Sequence, residues 1–218
     1  MVRQLFEEQI RELLEDLVAM GQMVADSIER SIQALAQQDE ALARQVIAFD
    51  DEINAAEHDI EEKCLVLIAT QQPMASDLRA ILATSNIATE LERMGDYAEG
   101  IAKLAIKLAG QPLLKPLIDI PRMAEEGRHM LMAALEAFAQ QDVEAARQIG
   151  PADDKVDALY DQVYRELLVL MMEDPRSITE ATYLLWVAHN LERIADRTTN
   201  IAERVIFLDS GEIVDLNR

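Results

Sequence analysis

The residues best suited to chemistry are acids that recur in the same order at two places in the chain. The stretch LERMGDYAEGIAKLA at 91–105 returns as LERIADRTTNIAERV at 191–205. Each copy keeps a glutamate and an aspartate four positions apart, which places both carboxylates on one face of a helix, one turn from each other. These acids are Glu92 and Asp96 in the first copy and Glu192 and Asp196 in the second. Carboxylates with this spacing can bind a cation together.

A second polar pair with the same spacing precedes each copy of the motif. An antiparallel helical hairpin would bring this upstream pair beside the motif on the next helix, so each half of the chain would assemble four oxygen-bearing side chains. The first half would contribute Asp50, Asn54, Glu92 and Asp96. The second half would contribute Asp153, Asp157, Glu192 and Asp196.

Carboxylates gathered in one patch repel one another, by about 1 kcal/mol for a pair about 4 Å apart in water and about 4 kcal/mol at an effective dielectric of 20. Metal ions or neighbouring arginines such as Arg93 and Arg193 can offset this repulsion, and the sequence leaves both interpretations open. Oxygen ligands alone would select hard cations, namely magnesium, manganese, calcium or iron(III). Zinc fits less well because the chain has no cysteine and histidine cluster, although His189 stands three residues before Glu192.

The elements that must position these acids are long helices. Apolar residues recur at steps of three and four through both motifs and define a stripe that packs on a core. At 100° per residue, Glu92 and Asp96 point away from that stripe, so we expect both carboxylates to face outward. The apolar pattern and the turn residues predict helices over about 3–37, 39–71, 73–110, 122–138, 142–171 and 175–208, with a kink at Gly150-Pro151.

The repeat extends beyond the motif. AQQD at 36–39 returns at 139–142, and DDEI at 50–53 returns as DDKV at 153–156. The chain is therefore predicted to be all-α, with two tandem three-helix bundles related by an internal pseudo-twofold repeat. The predicted divisions are a first bundle at 1–110, a proline-rich linker at 111–121, a second bundle at 122–209 and a frayed tail at 210–218.

The amino-acid composition argues against several classes of function. Asp and Glu total 41 against 20 Lys and Arg, a net charge of −21, which repels nucleic acid. The longest apolar runs have six residues, whereas a membrane span needs about 20. The single cysteine suits a reducing compartment. We therefore expect a soluble cytoplasmic protein without a transmembrane segment. The sequence contains no group of residues typical of a catalytic nucleophile and no glycine-rich phosphate loop, so we expect that the protein is not an enzyme. The alternative is a metal-dependent phosphohydrolase.

These motifs resemble those of the PhoU family, the phosphate-signalling accessory proteins of bacteria and archaea. LERMGDYAEGIA and NLERIADRTTNIAE resemble the two E/D-x-x-x-D signatures of the family. QQPMASDLR at 71–79 and MMEDPR at 171–176 resemble its inter-helix turns. The likeness covers nearly the whole chain, and the order and spacing of the motifs both agree.

The resemblance implies a regulator that represses phosphate-starvation signalling when phosphate is plentiful. Such proteins are thought to couple the ATPase of the phosphate ABC transporter to a sensor histidine kinase, and they often form homodimers. Several members bind multinuclear iron or other metal clusters. The candidate ligands carried over are Asp50, Glu92 and Asp96, and Asp153, Asp157, Glu192 and Asp196. Asn54 replaces a carboxylate, so the first site is expected to be the weaker one. The alternative is a metal-free module whose acidic face docks a basic partner.

Overall fold

The structure is a computed structural model that describes residues 2–110, 112–211 and 214–216. Within these ranges the chain is helical and contains no strand, which confirms the all-α prediction. The helices are α1 Val2–Gln37, α2 Glu40–Gln71, α3 Ala75–Leu108, α4 Asp119–Gln140, α5 Val143–Arg147, α6 Ile149–Glu173, a 3-10 helix Pro175–Ser177, and α7 Ile178–Ser210. None of these described helices is both long enough and apolar enough to cross a membrane.

The helices form two bundles that repeat each other. In the first bundle α1, α2 and α3 pack against one another, and in the second α4, α6 and α7 do the same. The short α5 and the long α6 together occupy the place that α2 has in the first bundle. The motif helices α3 and α7 also pack on each other, and α1 contacts α4, so the two bundles share a core. The predicted tandem bundles are confirmed.

The predicted apolar stripes of the two motif helices lie in this core. Ile87, Leu91 and Met94 of α3 are fully buried, as is Ile194 of α7. A stripe of this kind fixes the rotation of each helix about its own axis. Rotating the helix would expose apolar surface to water, at a free-energy cost of about 25 cal/mol per Å². The stripe thereby determines which way the acids on the same helix face.

The turns that open the second helix of each bundle are built alike. Asp39 accepts hydrogen bonds from the backbone amides of Ala41 (2.9 Å) and Leu42 (3.0 Å) and so forms the N-cap of α2, where the sequence predicts the start of this helix. Asp142 caps α5 in the same way. The residue before each cap adopts a left-handed conformation, with φ 55° at Gln38 and 54° at Gln141. The AQQD repeat is therefore a repeated tight turn.

The break in the second bundle lies two residues earlier than predicted. α5 ends at Arg147 and α6 begins at Ile149, so the helix is interrupted at Gln148 rather than at Gly150-Pro151. Pro151 has no amide hydrogen to donate to the carbonyl of Arg147, and its ring crowds that carbonyl. Proline is tolerated in the first turn of a helix, where amides have no intrahelical acceptor, so the new helix starts just before it.

Three helix starts were also misplaced. α7 begins at Ile178 rather than at 175, because Pro175–Ser177 form a 3-10 helix. α4 begins at Asp119, inside the predicted 111–121 linker, because Pro121 fits its first turn as Pro151 fits that of α6. α3 begins at Ala75 rather than at Pro73, because Gln72 is left-handed (φ 47°) and Met74 is still extended. The domain boundaries themselves stay predictions.

The tail was expected to be frayed, and this was wrong for residues 214–216. Val214 and Leu216 pack against the core, and the amide of Leu216 donates to Glu203 Oε1 at 2.9 Å.

Candidate metal centre

The first acidic cluster lies where α2 crosses α3 at Gly95. A Cβ placed on Gly95 would lie 3.2 Å from carbons of Ile53 and 3.3 Å from Asp50 Oδ1. The missing side chain therefore lets α2 approach closely and directs Asp50 against the motif helix. Asp50 is only 8 % exposed. Asn54 Nδ2 donates to its Oδ2 at 3.3 Å, whereas its buried Oδ1 has no hydrogen-bond partner.

The motif acids complete this cluster from α3. Glu92 is half-buried and Asp96 is exposed. Asp50, Asp96 and Glu99 each offer a ligand oxygen, and these oxygens all lie within 4.8 Å of one another. Glu99 was not among the predicted ligands, although it stands three residues after Asp96 and so shares its helical face. Lys103, one turn further on, forms an ion pair with Glu99 at 2.5 Å.

The second cluster lies between α6 and α7 and is more deeply buried. Asp153 is 4 % exposed and Asp196 8 %, while Glu192 is half-buried and Asp157 is exposed. Neither Asp153 Oδ1 nor Glu192 Oε2 has a hydrogen bond, although His189 Nδ1 lies 3.4 Å from the latter. The charges of Asp157, Asp196 and Glu192 all act on Asp153, but ligand oxygens within 4.8 Å of one another are found, among the described residues, only in the first cluster.

The expectation that the motif acids face outward holds for Asp96, which is exposed, but is wrong for its counterpart Asp196 in the second motif. The upstream acids are buried as well. Asp50, Asp153 and Asp196 are all more than nine-tenths buried. The angular projection of one helix shows only where its own apolar stripe lies. In the bundle, the neighbouring helix of each hairpin covers the flank of the stripe, and the acids lie in that covered groove.

Burial and mutual repulsion raise the pKa values of Asp153, Asp157 and Glu192 in the second cluster. Burial, followed by the charges of Asp157 and Asp196, raises the pKa of Asp153 to about 7. Burial and then Asp196 raise the pKa of Glu192 to about 7, against the opposing charge of Arg193. Acids with such pKa values show that negative charge at this site is poorly compensated at neutral pH.

The pKa values of Asp50, Glu92 and Asp96 in the first cluster are also raised, and burial is the largest cause for each. The charges of Asp96 and Glu99 add to the rise at Asp50, while the Asn54 hydrogen bond and Lys103 oppose it. The closest grouping of oxygens is thus in the first cluster, but the larger pKa shifts are in the second. The second is drier, whereas the first is open and has Lys103 beside it, which accounts for the difference.

Some of this charge is neutralised by the protein itself. Arg193 forms an ion pair with Asp196, and Lys103 with Glu99. Arg193 also makes a hydrogen bond with Tyr97 on α3, so the second cluster is tied to the helix that carries the first. These two ion pairs thus support the alternative interpretation, in which basic side chains rather than metal ions offset the repulsion between the acids.

The donor atoms of the two clusters fit a hard cation. Four buried oxygens have no hydrogen-bond partner, namely Asp50 Oδ1, Asn54 Oδ1, Asp153 Oδ1 and Glu192 Oε2. A buried polar atom without a partner costs about 1–3 kcal/mol, and more when it is charged. A bound cation would satisfy such oxygens in both repeats. Cys64 does not contribute, because it is buried against the carbonyl of Ile81 between α2 and α3.

Comparison with known proteins identifies the family. The family model described as "PhoU domain" matches the chain twice, at residues 17–105 and 120–205. A relative from Clostridium acetobutylicum, named a phosphate-specific transport system accessory protein PhoU homolog, is 40 % identical over 218 residues and covers the whole of both chains. A protein of the same name from Aquifex aeolicus is 44 % identical over 210 residues, which are 96 % of this chain and 95 % of the relative.

Solved structures agree with the family model. The crystal structure of PhoU from Pseudomonas aeruginosa superposes with a TM-score of 0.90 at 37 % identity, covering 95 % of this chain and all of that one. The phosphate transport system regulatory protein PhoU from Streptococcus pneumoniae gives a TM-score of 0.89 at 33 % identity, covering 96 % of this chain and 99 % of that one. By sequence, by internal repeat and by fold, this chain belongs to the PhoU family.

Proposed function

We propose that this protein is an accessory regulator of phosphate transport that acts in the cytoplasm. In this role it restrains phosphate uptake and the phosphate-starvation response when phosphate is plentiful, by coupling the ATPase of the phosphate ABC transporter to a sensor histidine kinase. The support is family membership over the full chain, together with relatives that are named for the phosphate-specific transport system. The net charge of −21 favours partners with basic surfaces over nucleic acid.

We further propose that the two acidic clusters bind metal ions. The observation that carries this is the pair of buried, unpartnered carboxylate oxygens in equivalent places, at Asp50 Oδ1 and Asp153 Oδ1. The ligands would come from Asp50, Asn54, Glu92 and Asp96 in one repeat and from Asp153, Asp157, Glu192 and Asp196 in the other. Oxygen donors suit iron(III) in a multinuclear cluster, with manganese, magnesium or calcium as alternatives.

A bound cation would supply positive charge where the chain has gathered carboxylates. Each cluster joins two helices of a hairpin, α2 with α3 and α6 with α7, so ion binding would hold each hairpin together. This is a structural and regulatory role, and the proposal includes no catalytic step. A phosphohydrolase activity would appear as multiple turnover of phosphorylated substrates in the presence of added manganese or magnesium.

The partner proposal is tested by affinity capture. The protein carries a tag at its C-terminus and is captured from phosphate-replete and from phosphate-starved cells. We expect the ATPase of the phosphate transporter and the sensor kinase among the captured proteins, and a homodimer by light scattering. Capture of neither protein under either condition would contradict the coupling role.

The metal proposal is tested by elemental analysis of protein purified without chelator or histidine tag. We expect bound metal in the wild-type protein and its loss in a Glu192→Ala, Asp196→Ala double variant of the second cluster, with the first cluster retaining its share. The metal-free docking module predicts no metal in any of them and partner binding that weakens steeply with salt.

A further inference from the structure

The first repeat contains a carboxylate that has no equivalent in the second. Glu99 of α3 corresponds to Thr199 of α7 in the alignment of the two motifs. Thr199 is fully buried, and its hydroxyl donates to the carbonyl oxygen of Asp196 at 2.8 Å. It therefore brings no charge to the second cluster, whereas Glu99 stands beside Asp96 and Asp50.

A second difference between the repeats removes a carboxylate from the first repeat instead of adding one. Asn54 of α2 occupies the place that Asp157 has on α6, so the first repeat loses one carboxylate there. Each repeat nevertheless has four carboxylates when Glu99 is included. The first set is Asp50, Glu92, Asp96 and Glu99, and the second is Asp153, Asp157, Glu192 and Asp196. The charge missing from α2 is supplied from α3.

The direction of Asp50 points to a ligand at this place. Asp50 is only 8 % exposed, and its Oδ1 has no hydrogen bond. That oxygen lies against α3 at Gly95, the residue next to Asp96 and one turn before Glu99. Asn54 holds the other carboxylate oxygen and so fixes the orientation of the carboxylate.

A cation already stands at the edge of this group. The ammonium of Lys103 lies 2.5 Å from Glu99 Oε2, while the side chain of Lys103 is 54 % exposed and that of Glu99 only 19 %. The lysine can swing into solvent at little cost, because its stem is long and flexible. It therefore marks a position where positive charge is stabilised and from which a metal ion can displace it.

We propose that the first repeat binds its cation through Asp50, Asp96 and Glu99, so that Glu99 replaces the carboxylate lost at Asn54. The ion site is then displaced by one helical turn along α3 toward Lys103, relative to the site of the second repeat. This inference rests on the proposed metal binding and adds to it the identity of one ligand and the difference between the two sites.

The test measures Mn²⁺ binding to the metal-free full chain by titration calorimetry and by the paramagnetic resonance of free Mn²⁺. To isolate the first site, all variants carry Asp153→Asn and Glu192→Gln in the second. We expect Glu99→Gln to weaken Mn²⁺ binding at least tenfold, and Glu52→Gln, an exposed acid of α2, to leave the affinity within twofold.

Two further variants distinguish a ligand from a merely structural residue. Asn54→Asp added to Glu99→Gln should restore most of the lost affinity, because it returns the fourth carboxylate. Lys103→Gln should strengthen Mn²⁺ binding, since it removes the competing charge. Circular dichroism of each metal-free variant checks that the helices remain folded.

The possible outcomes separate the two proposals. If the wild-type chain binds Mn²⁺ but Glu99→Gln binds it equally well in the isolating background, the role of Glu99 is refuted and the metal proposal stands. If neither Mn²⁺ nor iron binds to the wild-type chain at all, both proposals are overturned.

Discussion

The burial of Asp153 predicts an unusual dependence of stability on pH in the metal-free protein. Its pKa is raised from the ordinary 3.8 to about 7, first by burial and then by the charges of Asp157 and Asp196. Between these two values the folded state binds a proton that the unfolded state has released. The stability that this group contributes is fully present below pH 3.8 and is lost as the pH rises through 7.

The size of the effect follows from the shift. One extra proton on the folded state changes the free energy of unfolding by about 1.4 kcal/mol per pH unit. Because the folded carboxyl is already half ionised at pH 7, the change between pH 5 and 7 is about 2.3 kcal/mol. Water that reaches the exposed Asp157 screens part of the repulsion, so we expect about 2 kcal/mol from Asp153. An Asp153→Asn variant cannot ionise at this position and should lack this decrease.

The assay is urea denaturation of metal-free wild-type and Asp153→Asn protein at pH 5 and pH 8, followed by circular dichroism. We expect the variant to gain about 2 kcal/mol of stability relative to the wild type between pH 5 and pH 8, and the remaining difference to disappear only below pH 3.8. Asp51→Asn, at an exposed position of α2, serves as the control and should follow the wild type at both pH values.

Addition of metal should reverse the order of stability of the two proteins. At pH 8 an ion bound between α6 and α7 should raise the stability of the wild type more than that of Asp153→Asn, which lacks one ligand. A variant that is less stable than the wild type at pH 8 without metal, or an equal pH slope in both proteins, would show that Asp153 carries no unfavourable charge and would refute the reasoning.

Three further changes have expected outcomes. Gly95→Val should destabilise the protein by about 1–3 kcal/mol, because its side chain would press on Ile53 and Asp50 of α2; a fall in the midpoint of urea unfolding measures it, and an unchanged midpoint would contradict the close helix approach. Asp39→Ala should cost about 1 kcal/mol through loss of the α2 N-cap, with Asp39→Asn as the conservative control that keeps an acceptor. Asp142→Ala should cost a similar amount at α5, and thermal denaturation would show whether the two turns contribute equally.

Most of the local structure was predictable because helix periodicity and turn chemistry are properties of short segments. The stripe through Leu91 and Leu191, the cap at Asp39 and the duplicated acids all follow from spacing within one helix or one turn. The break at Gln148 was placed two residues too late for a similar local reason. A proline interrupts the helix before its own position, so the break precedes Pro151 rather than coinciding with it.

Glu99 shows where comparison of the repeats failed as a guide. The ligands predicted from the sequence occupy positions that recur in both repeats, whereas the counterpart of Glu99 is Thr199. The spacing of three between Asp96 and Glu99 was the signal that could have identified Glu99. The packing of the tail was missed for another reason, since its hydrogen bond with Glu203 joins residues 13 positions apart, beyond the reach of local sequence patterns.

By itself the sequence determined that this protein is a duplicated set of long helices with acids one turn apart, because each of those features depends on neighbours within a few residues. Only the tertiary structure decided that Asp50, Asp153 and Asp196 are buried and that Glu99 joins the first cluster. Burial and convergence of side chains depend on the neighbouring helix that covers the groove, and the rotation and distance of that helix are set by packing of the whole core.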